Sequence, residues 1–326
     1  MTPGQASIDE GDYDRAVREF AAMIEADPTA VDGYRGRAEA SLLLRRFADA
    51  YRDYAAITAF VRPVHPDALD TIDRDYGERL AAAPGSIPAL TGAGFVQWAH
   101  FDYGQAVELL DALLEVRPDD VFATLFRGSA RLLAGLMNEG GIADLERAIE
   151  LAPGSADVHY IVADAYTYGL PDPERASAEA SIALERGLDT PRVRAILAAA
   201  QLAFGNEAAA ATHIERHLEL VSTDLLSTAP LAAGASLSLD LAPGRVYDVP
   251  LPVTAGETIS VATSSRDFVD TIAVLYAPDG TLLTGSDDTN AQFAAISTRA
   301  ARSGTYRLRT SSFEAVDTGV LEVIRA

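Results

Sequence analysis

Gly11-Asp12-Tyr13-Asp14-Arg15-Ala16-Val17-Arg18-Glu19-Phe20, Arg45-Arg46-Phe47-Ala48-Asp49-Ala50-Tyr51-Arg52-Asp53-Tyr54 and Phe101-Asp102-Tyr103-Gly104-Gln105-Ala106-Val107-Glu108-Leu109-Leu110 are variants of one pattern. Each carries an aromatic residue, a small residue three positions on, and a large residue four positions after that. The large residues form a series, Phe20, Tyr54, Leu110, Leu145, Ala180 and Ile214, at spacings of 34, 56, 35, 35 and 34. The spacing of 56 is one period of 34 with 22 residues added. A fixed period in this range is the signature of a repeat architecture in which each unit covers the next one's apolar face. Pro28, Pro63, Pro118 and Pro153 punctuate the same series. Proline cannot continue a helix, so each reads as the stop of a unit's second helix.

The pattern resembles the tetratricopeptide repeat, a helix–turn–helix unit of about 34 residues. The resemblance runs from Gly11 to about Val221 and predicts an α-solenoid over 1–222. Ala16, Ala50, Ala106 and Ala176 stand where the family packs its two helices closely. Gly140-Gly141 and Leu170-Pro171-Asp172-Pro173 lengthen two turns, and Leu188 stands where a proline is expected. The added residues, about 65–86, place Leu69, Ile72 and Tyr76 on one helical face, so a single odd helix is expected there. Gln5–Ile8 is short for a first helix, which leaves an end to be capped or completed by a neighbouring subunit.

In the resembled family the first helix of each unit lines a concave surface that binds peptides. Carried over, that surface is made by Arg35, Glu39 and Leu42, then Phe95 and Trp98, then Phe122 and Leu125, then Tyr160, Asp164 and Tyr168. Aromatic side chains in a groove are common anchors for a bound peptide, although each of these also reads as ordinary packing between helices. Arg35 is nearly alone as a cation in the set, so a ligand that depends on a free C-terminal carboxylate is not expected.

After Ser222 the periodicity changes. Residues 223–234 read as a linker, and 235–326 alternates with period two as strands do. Strands are predicted at Ser236–Leu241, Arg245–Val249, Thr258–Ala262, Thr271–Tyr276, Thr281–Leu283, Phe293–Ser297, Gly304–Thr310 and Gly319–Ile324. Eight short strands with turn signals between them indicate an antiparallel, jelly-roll-like β-sandwich. The fold class is therefore multidomain, α followed by β. The run Asp270 to Leu283, the pair Asp287-Asp288 and the strand Ser303–Arg309 resemble the bacterial pre-peptidase C-terminal domain. That resemblance implies a binding or stabilising module and favours an extracytoplasmic or cell-surface location over the cytoplasm. Asp267, Asp270, Asp287, Asp288 and Asn290 are hard oxygen donors in one stretch, suited to Ca²⁺. Some members of the resembled family bind calcium there, and Asp270, Asp287 and Asp288 match their acidic positions. The same residues also read as a solvated hairpin stabilised by Asx turns.

The composition excludes several classes of function. The 326 residues hold 48 acids and 26 cations, for a net charge of −22, and every cation is arginine. Such a surface repels phosphate backbones and anionic headgroups, which argues against nucleic-acid binding. Cysteine is absent, so no disulfide, thiolate nucleophile or cysteine-ligated metal can form. No run approaches the ~18 apolar residues of a membrane span. Met1–Glu10 lacks a basic segment followed by an apolar one, so no signal peptide is expected. His213 and His217 share a helical face, as in a helix-borne zinc pair or a plain polar face. No Gly-x-Ser-x-Gly elbow occurs, and a Walker A loop needs the lysine the chain lacks.

These readings favour a non-enzymatic protein–protein scaffold with no cofactor other than calcium. The alternative is a self-assembling surface or filament subunit, in which the partner is a second copy.

Overall fold

The computed structural model describes residues 2–57, 65, 67–135, 138–242, 244–265, 271–287, 294–312 and 319–326. Helices come first: α1 (Pro3–Asp9), α2 (Tyr13–Ala26), α3 (Val31–Leu43), α4 (Phe47–Ala56), α5 (Ala68–Ala82), α6 (Ile87–Ala99), α7 (Tyr103–Val116), α8 (Val121–Leu133), α9 (Asn138–Leu151), α10 (Ala156–Tyr168), α11 (Pro173–Glu185), α12 (Pro191–Ala203) and α13 (Glu207–Val221). Strands follow: β1 (Asp224–Ser227), β2 (Ser236–Leu241), β3 (Arg245–Val253), β4 (Thr258–Ser265), β5 (Thr271–Tyr276), β6 (Leu282–Asp287), β7 (Ala295–Arg299), β8 (Gly304–Ser312) and β9 (Gly319–Arg325). The chain divides into two compact units, 1–172 with 185–187 and 173–184 with 188–326.

Local chemistry sets the helix ends of the first unit. Asp12, Asp102, Asp120 and Ser155 each accept the backbone N–H three residues on, satisfying one of the donors a helix start leaves open. The turns from α1 to α2, α3 to α4, α6 to α7 and α8 to α9 reverse through a left-handed residue: Gly11, Arg45, Phe101 and Gly135 respectively. Arg45 and Phe101 hold that conformation with a Cβ attached, at φ 61° and 64°.

Where these helices stack, an aromatic ring packs closely on a glycine. The Phe20 ring of α2 lies so close over Gly4 that a Cβ there would come within 2.7 Å of it, and it covers Gly36 of α3 as well. The Tyr76 ring of α5 covers Gly92 of α6 in the same way. Phe20 precedes Gly36 by 16 residues, and Tyr76 precedes Gly92 by 16. It is therefore α5, the expected odd helix, that sets the position of α6. The short N-terminal segment does form a helix, α1, and Ile8 packs with Ala16, Phe20 and Ala40.

In the second unit β1-β3-β8-β5-β6 form one sheet and β2-β9-β4-β7 the other. All pairings are antiparallel except β1 with β3, which run parallel. β1 lies inside the stretch read from sequence as a linker; at four residues it is too short to show alternation. Leu239, Leu241, Tyr247, Val249, Leu251, Ile259, Val261, Leu275, Tyr306 and Leu308 fill the core between the sheets. Ile272, Val274 and Tyr276 point the other way, onto Ile214, Leu218 and Val221 of α13. A strand covered on both faces needs no polar alternation, and every residue of β5 is buried. The helices α12 and α13 share this cluster with the sheet, so the unit boundary falls ahead of the point where helix gives way to strand.

Candidate functional site

The inner face of α6, α8 and α10 is the most distinctive surface of the first unit, and a helix of the same chain lies on it. Phe47, at the start of α4, packs its ring edge-on to Phe126 at 5.4 Å and against Phe122 at 5.9 Å, both on α8. Tyr51 meets the Trp98 ring of α6 edge-on at 6.4 Å, and Tyr54 meets Phe95 at 6.0 Å. The spacing of Phe47, Tyr51 and Tyr54 is that of one helical stripe, i, i+4 and i+7. The start of α4 has Arg46 at its N-cap, which makes no side-chain cap. Its Ala48 N–H instead donates to the Asp157 carboxylate of α10 at 2.7 Å. Burial pushes the Asp157 carboxyl above the usual carboxylate range; the Ala48 N–H opposes this and the nearby charge of Asp49 reinforces it.

The groove wall beneath α4 is continuous. Trp98 stacks with Phe95 at 6.0 Å and meets Phe126 edge-on at 5.0 Å, while its Nε1 donates to Ser129 Oγ at 3.1 Å. The seat is polar-imperfect at one point. Among the described residues, Tyr54 Oη is buried with no hydrogen-bond partner, and the same holds for Nε2 of His100, whose ring lies 5.4 Å from the Tyr54 ring. An unmade bond at a buried polar atom costs about 1–3 kcal/mol.

The residues expected to face a partner therefore occupy three settings. Phe95, Trp98, Phe122 and Leu125 are buried in the wall or under α4, and Tyr160 and Asp164 are buried on α10. Arg35, Glu39 and Leu42 of α3 lie instead in the seam with α5 and α6. There Arg79 Nη1 and Nη2 donate to the two Glu39 oxygens at 2.7 Å each, and Tyr76 Oη donates to Glu39 at 3.1 Å. Arg35 pairs with Asp75 and, at 2.9 Å, with Asp32. Tyr168 is the one member of the set open to solvent, 47% exposed at the end of α10. A separate depression is lined by Leu42 and Leu43 of α3, Ile87 and Thr91 of α6 and Phe122 of α8, with Arg45, Arg117 and Asp120 at its polar side. The sequence offered one signal for the covering of the groove: a second aromatic, Tyr76, stands 34 residues before Leu110, so α4 was not needed to keep the period.

The calcium candidates Asp267, Asp270, Asp288 and Asn290, and the Asp287 side chain, lie outside the described residues. Among the described residues no group of three or more His, Asp or Glu gathers as a metal site. His217 is buried with Nδ1 at 2.9 Å from the Pro191 carbonyl, and His213 Nδ1 accepts from Arg194 Nη1 at 3.4 Å. Each imidazole of that pair thus holds α12 and α13 together. Among the described residues no helix is long and apolar enough to cross a membrane.

The family model described as tetratricopeptide repeat matches residues 4–61 and 96–156. The matched stretches carry tetratricopeptide repeats, a fold that suggests protein–protein interaction. Among solved structures, a tetratricopeptide repeat protein from Parabacteroides merdae is 17% identical, aligned over 67% of this chain and 90% of its own, with a TM-score of 0.43. MamA from Desulfovibrio magneticus is 21% identical over 53% of this chain and 94% of its own, at 0.40. The pre-peptidase C-terminal domain of a collagenase from Bacillus anthracis is 12% identical over 32% of this chain and 99% of its own, at 0.28. No curated protein sequence matches the chain.

Proposed function

We propose that the chain is a non-enzymatic scaffold that holds a protein partner on the inner face of α6, α8 and α10, with the β-sandwich as an accessory binding or stabilising module. One observation carries this reading: that face is an aromatic trough of helix width, and α4 already lies along it. The ionisable groups at its edge support a binding surface over a reaction site. Glu39 with Arg79 and Arg37 with Asp53 form bidentate pairs that join helices, which leaves neither acid poised for proton transfer.

Site-specific photo-cross-linking in the native cells tests the reading. A photoreactive residue at Leu43, in the α3–α6–α8 depression, is expected to capture a discrete partner that the same residue at Glu108, exposed on α7, does not. Equal capture from both positions, or capture from Glu108 alone, counts against binding on the inner face. Light scattering of the purified chain at rising concentration separates a second copy from a foreign partner.

A further inference from the structure

The turn between α6 and α7 bears two costs that the fold does not require. Phe101 stands there at φ 64°, the left-handed conformation for which the corresponding turns use Gly11, Gly135 and Gly205. A residue with a Cβ is strained in it by about 1–2 kcal/mol. Arg45 takes the same conformation at the α3–α4 turn with a side chain that water solvates. Phe101 instead holds an apolar ring that is 77% exposed. Its ring contact among the described residues is with Tyr103, edge-on at 6.2 Å with the planes 86° apart. Strain kept at a position that suits glycine points to a use outside the fold.

Elsewhere the chain shows what its exposed-edge rings hold. Arg79 lies over the Tyr76 ring at 5.1 Å, Arg37 over Tyr34 at 5.8 Å and Arg307 over Tyr276 at 4.3 Å. Each of these arginines also meets a carboxylate: Glu39, Asp53 and Asp248 respectively. Ring, guanidinium and carboxylate form a three-part unit, in which the ring face attracts the cation and the acid neutralises it. The α6–α7 turn has two of the three parts. Its rings are Phe101 and Tyr103. Its acids are Asp102, between them in sequence, and Asp73 of α5, which reaches 3.9 Å from Nδ1 of the adjacent His100. Among the described residues Asp102 accepts the Gln105 N–H and Asp73 the Gln97 amide, and no arginine pairs with either acid. Burial raises the Asp73 carboxyl above the usual range and the charge of Asp70 raises it further, with Gln97 opposing. An incoming cation relieves that setting.

We infer that the α6–α7 turn is a docking point for an arginine on a basic segment of a partner protein, which stacks on the Phe101–Tyr103 corner and pairs with Asp102. The partner supplies the missing third part. Arginine suits the site better than lysine, because its planar guanidinium stacks on a ring and pairs with a carboxylate at once. The chain's net charge of −22 complements a basic segment and draws it in. This surface is a turn rather than the inner face of α6, α8 and α10, so it goes beyond the scaffold reading and stands without it.

The test uses the full-length chain and two fluorescein-labelled peptides, one of alternating arginine and glycine and its lysine counterpart. Fluorescence anisotropy is expected to show the arginine peptide binding tighter than the lysine one. Phe101→Gly leaves the net charge unchanged and relaxes the turn. It should weaken the arginine peptide about threefold, the size of one exposed cation–π contact. Phe101→Leu keeps a Cβ and an apolar side chain without a ring and should weaken it as much, while Phe101→Tyr should bind as the parent does. Asp102→Asn still caps α7 and should weaken binding through the lost charge alone. Parental binding by Phe101→Gly overturns the inference, since the overall charge is then sufficient. Equal binding of the two peptides overturns it, as does the absence of binding by the intact chain. Should Phe101→Gly fail to fold, Phe101→Leu gives the same reading, and parental binding by that variant overturns the inference. None of these outcomes depends on whether a partner is captured at Leu43, so the two readings fail separately.

Discussion

The backbone N–H of Ala48 donates to the carboxylate of Asp157 at 2.7 Å, across 109 positions of sequence. A helix start is thereby capped by a residue six helices further along the chain rather than by its own N-cap. Asp157→Ala removes the acceptor, and loss of an N-cap costs about 1 kcal/mol. Asp157→Asn keeps an acceptor of similar capping strength and should cost a few tenths as much. The loss is expected as faster hydrogen exchange in α4 with α7 and α9 unchanged. Equal effects of the two substitutions, or a loss spread evenly over the unit, would show that the carboxylate acts other than as a cap.

Phe101 sits 77% exposed in the left-handed conformation at the α6–α7 turn, where the α8–α9 and α12–α13 turns use Gly135 and Gly205. A left-handed residue with a Cβ is strained by about 1–2 kcal/mol, while glycine there is not. Phe101→Gly should raise the urea midpoint by an amount equivalent to about 1 kcal/mol. Gly205→Ala should lower it by a similar amount, since a Cβ there meets nothing within 4 Å and only the backbone conformation objects. A Phe101→Gly variant that loses stability would mean that the ring, which meets Tyr103 edge-on at 6.2 Å, contributes more than the strain removes.

Those turns also show how much was legible in advance. The repeat, its period and its second-helix residues were written in local chemistry: small residues where helices touch and prolines at stops. Most strands were likewise visible, because alternation reports a surface covered on one side. What stayed hidden was long-range choice. Tyr54 and Tyr76 both satisfy the period, one counted from Phe20 and the other from Leu110. Gly92 decides between them toward α6, and its role shows only once a ring lies on it. The inner-face aromatics were identified as a set, but a helical stripe reads the same whether it meets a foreign helix or the chain's own α4. β1 was missed because a four-residue edge strand pairs through its backbone, and its side chains carry no period.

At Gly285 of β6, α13 packs closely on the sheet. A Cβ there would stand 2.9 Å from Ile214 Cδ1, 3.0 Å from Val274 Cγ1 and 3.1 Å from the backbone Cα of Ala211. A side-chain tip can turn aside, but a helix backbone moves only with its helix. Gly285→Ala should therefore destabilise the second unit by about 1–3 kcal/mol, the range for overpacking. Gly154→Ala, where nothing lies within 4 Å, serves as the neutral comparison. Near-UV circular dichroism of Tyr276, whose hydroxyl donates to Glu215 of α13 at 2.8 Å, should change in the first variant and not in the second. An unchanged Gly285→Ala midpoint would show that α13 rides on the sheet with room to spare.

His213 makes the second unit sensitive to mild acid. Its Nδ1 accepts from Arg194 Nη1, and Asp189 receives Arg194 at 2.7 Å and Arg216 at 3.1 Å. Burial lowers the His213 pKa below its ordinary 6.5 and the Arg194 charge lowers it further, with Asp189 opposing in part. An imidazole whose folded pKa lies below its unfolded one binds fewer protons when folded. Stability is then complete above the unfolded value of 6.5 and declines as pH falls from there to the folded value. Asp189 titrates on the acid side of that window, because Arg194 and Arg216 hold its carboxyl below the usual range. The unfolding midpoint of the intact chain should accordingly fall between pH 7.5 and pH 5.5. In His213→Gln the amide oxygen still accepts from Arg194 and cannot take a proton, so the fall should shrink. It should not vanish, because His100, lowered by burial beside Tyr54, contributes with the same sign. A His213→Gln chain whose midpoint falls as steeply as the parent's would place the acid sensitivity away from the α12–α13 pair, and His100→Gln would then be the variant that flattens it.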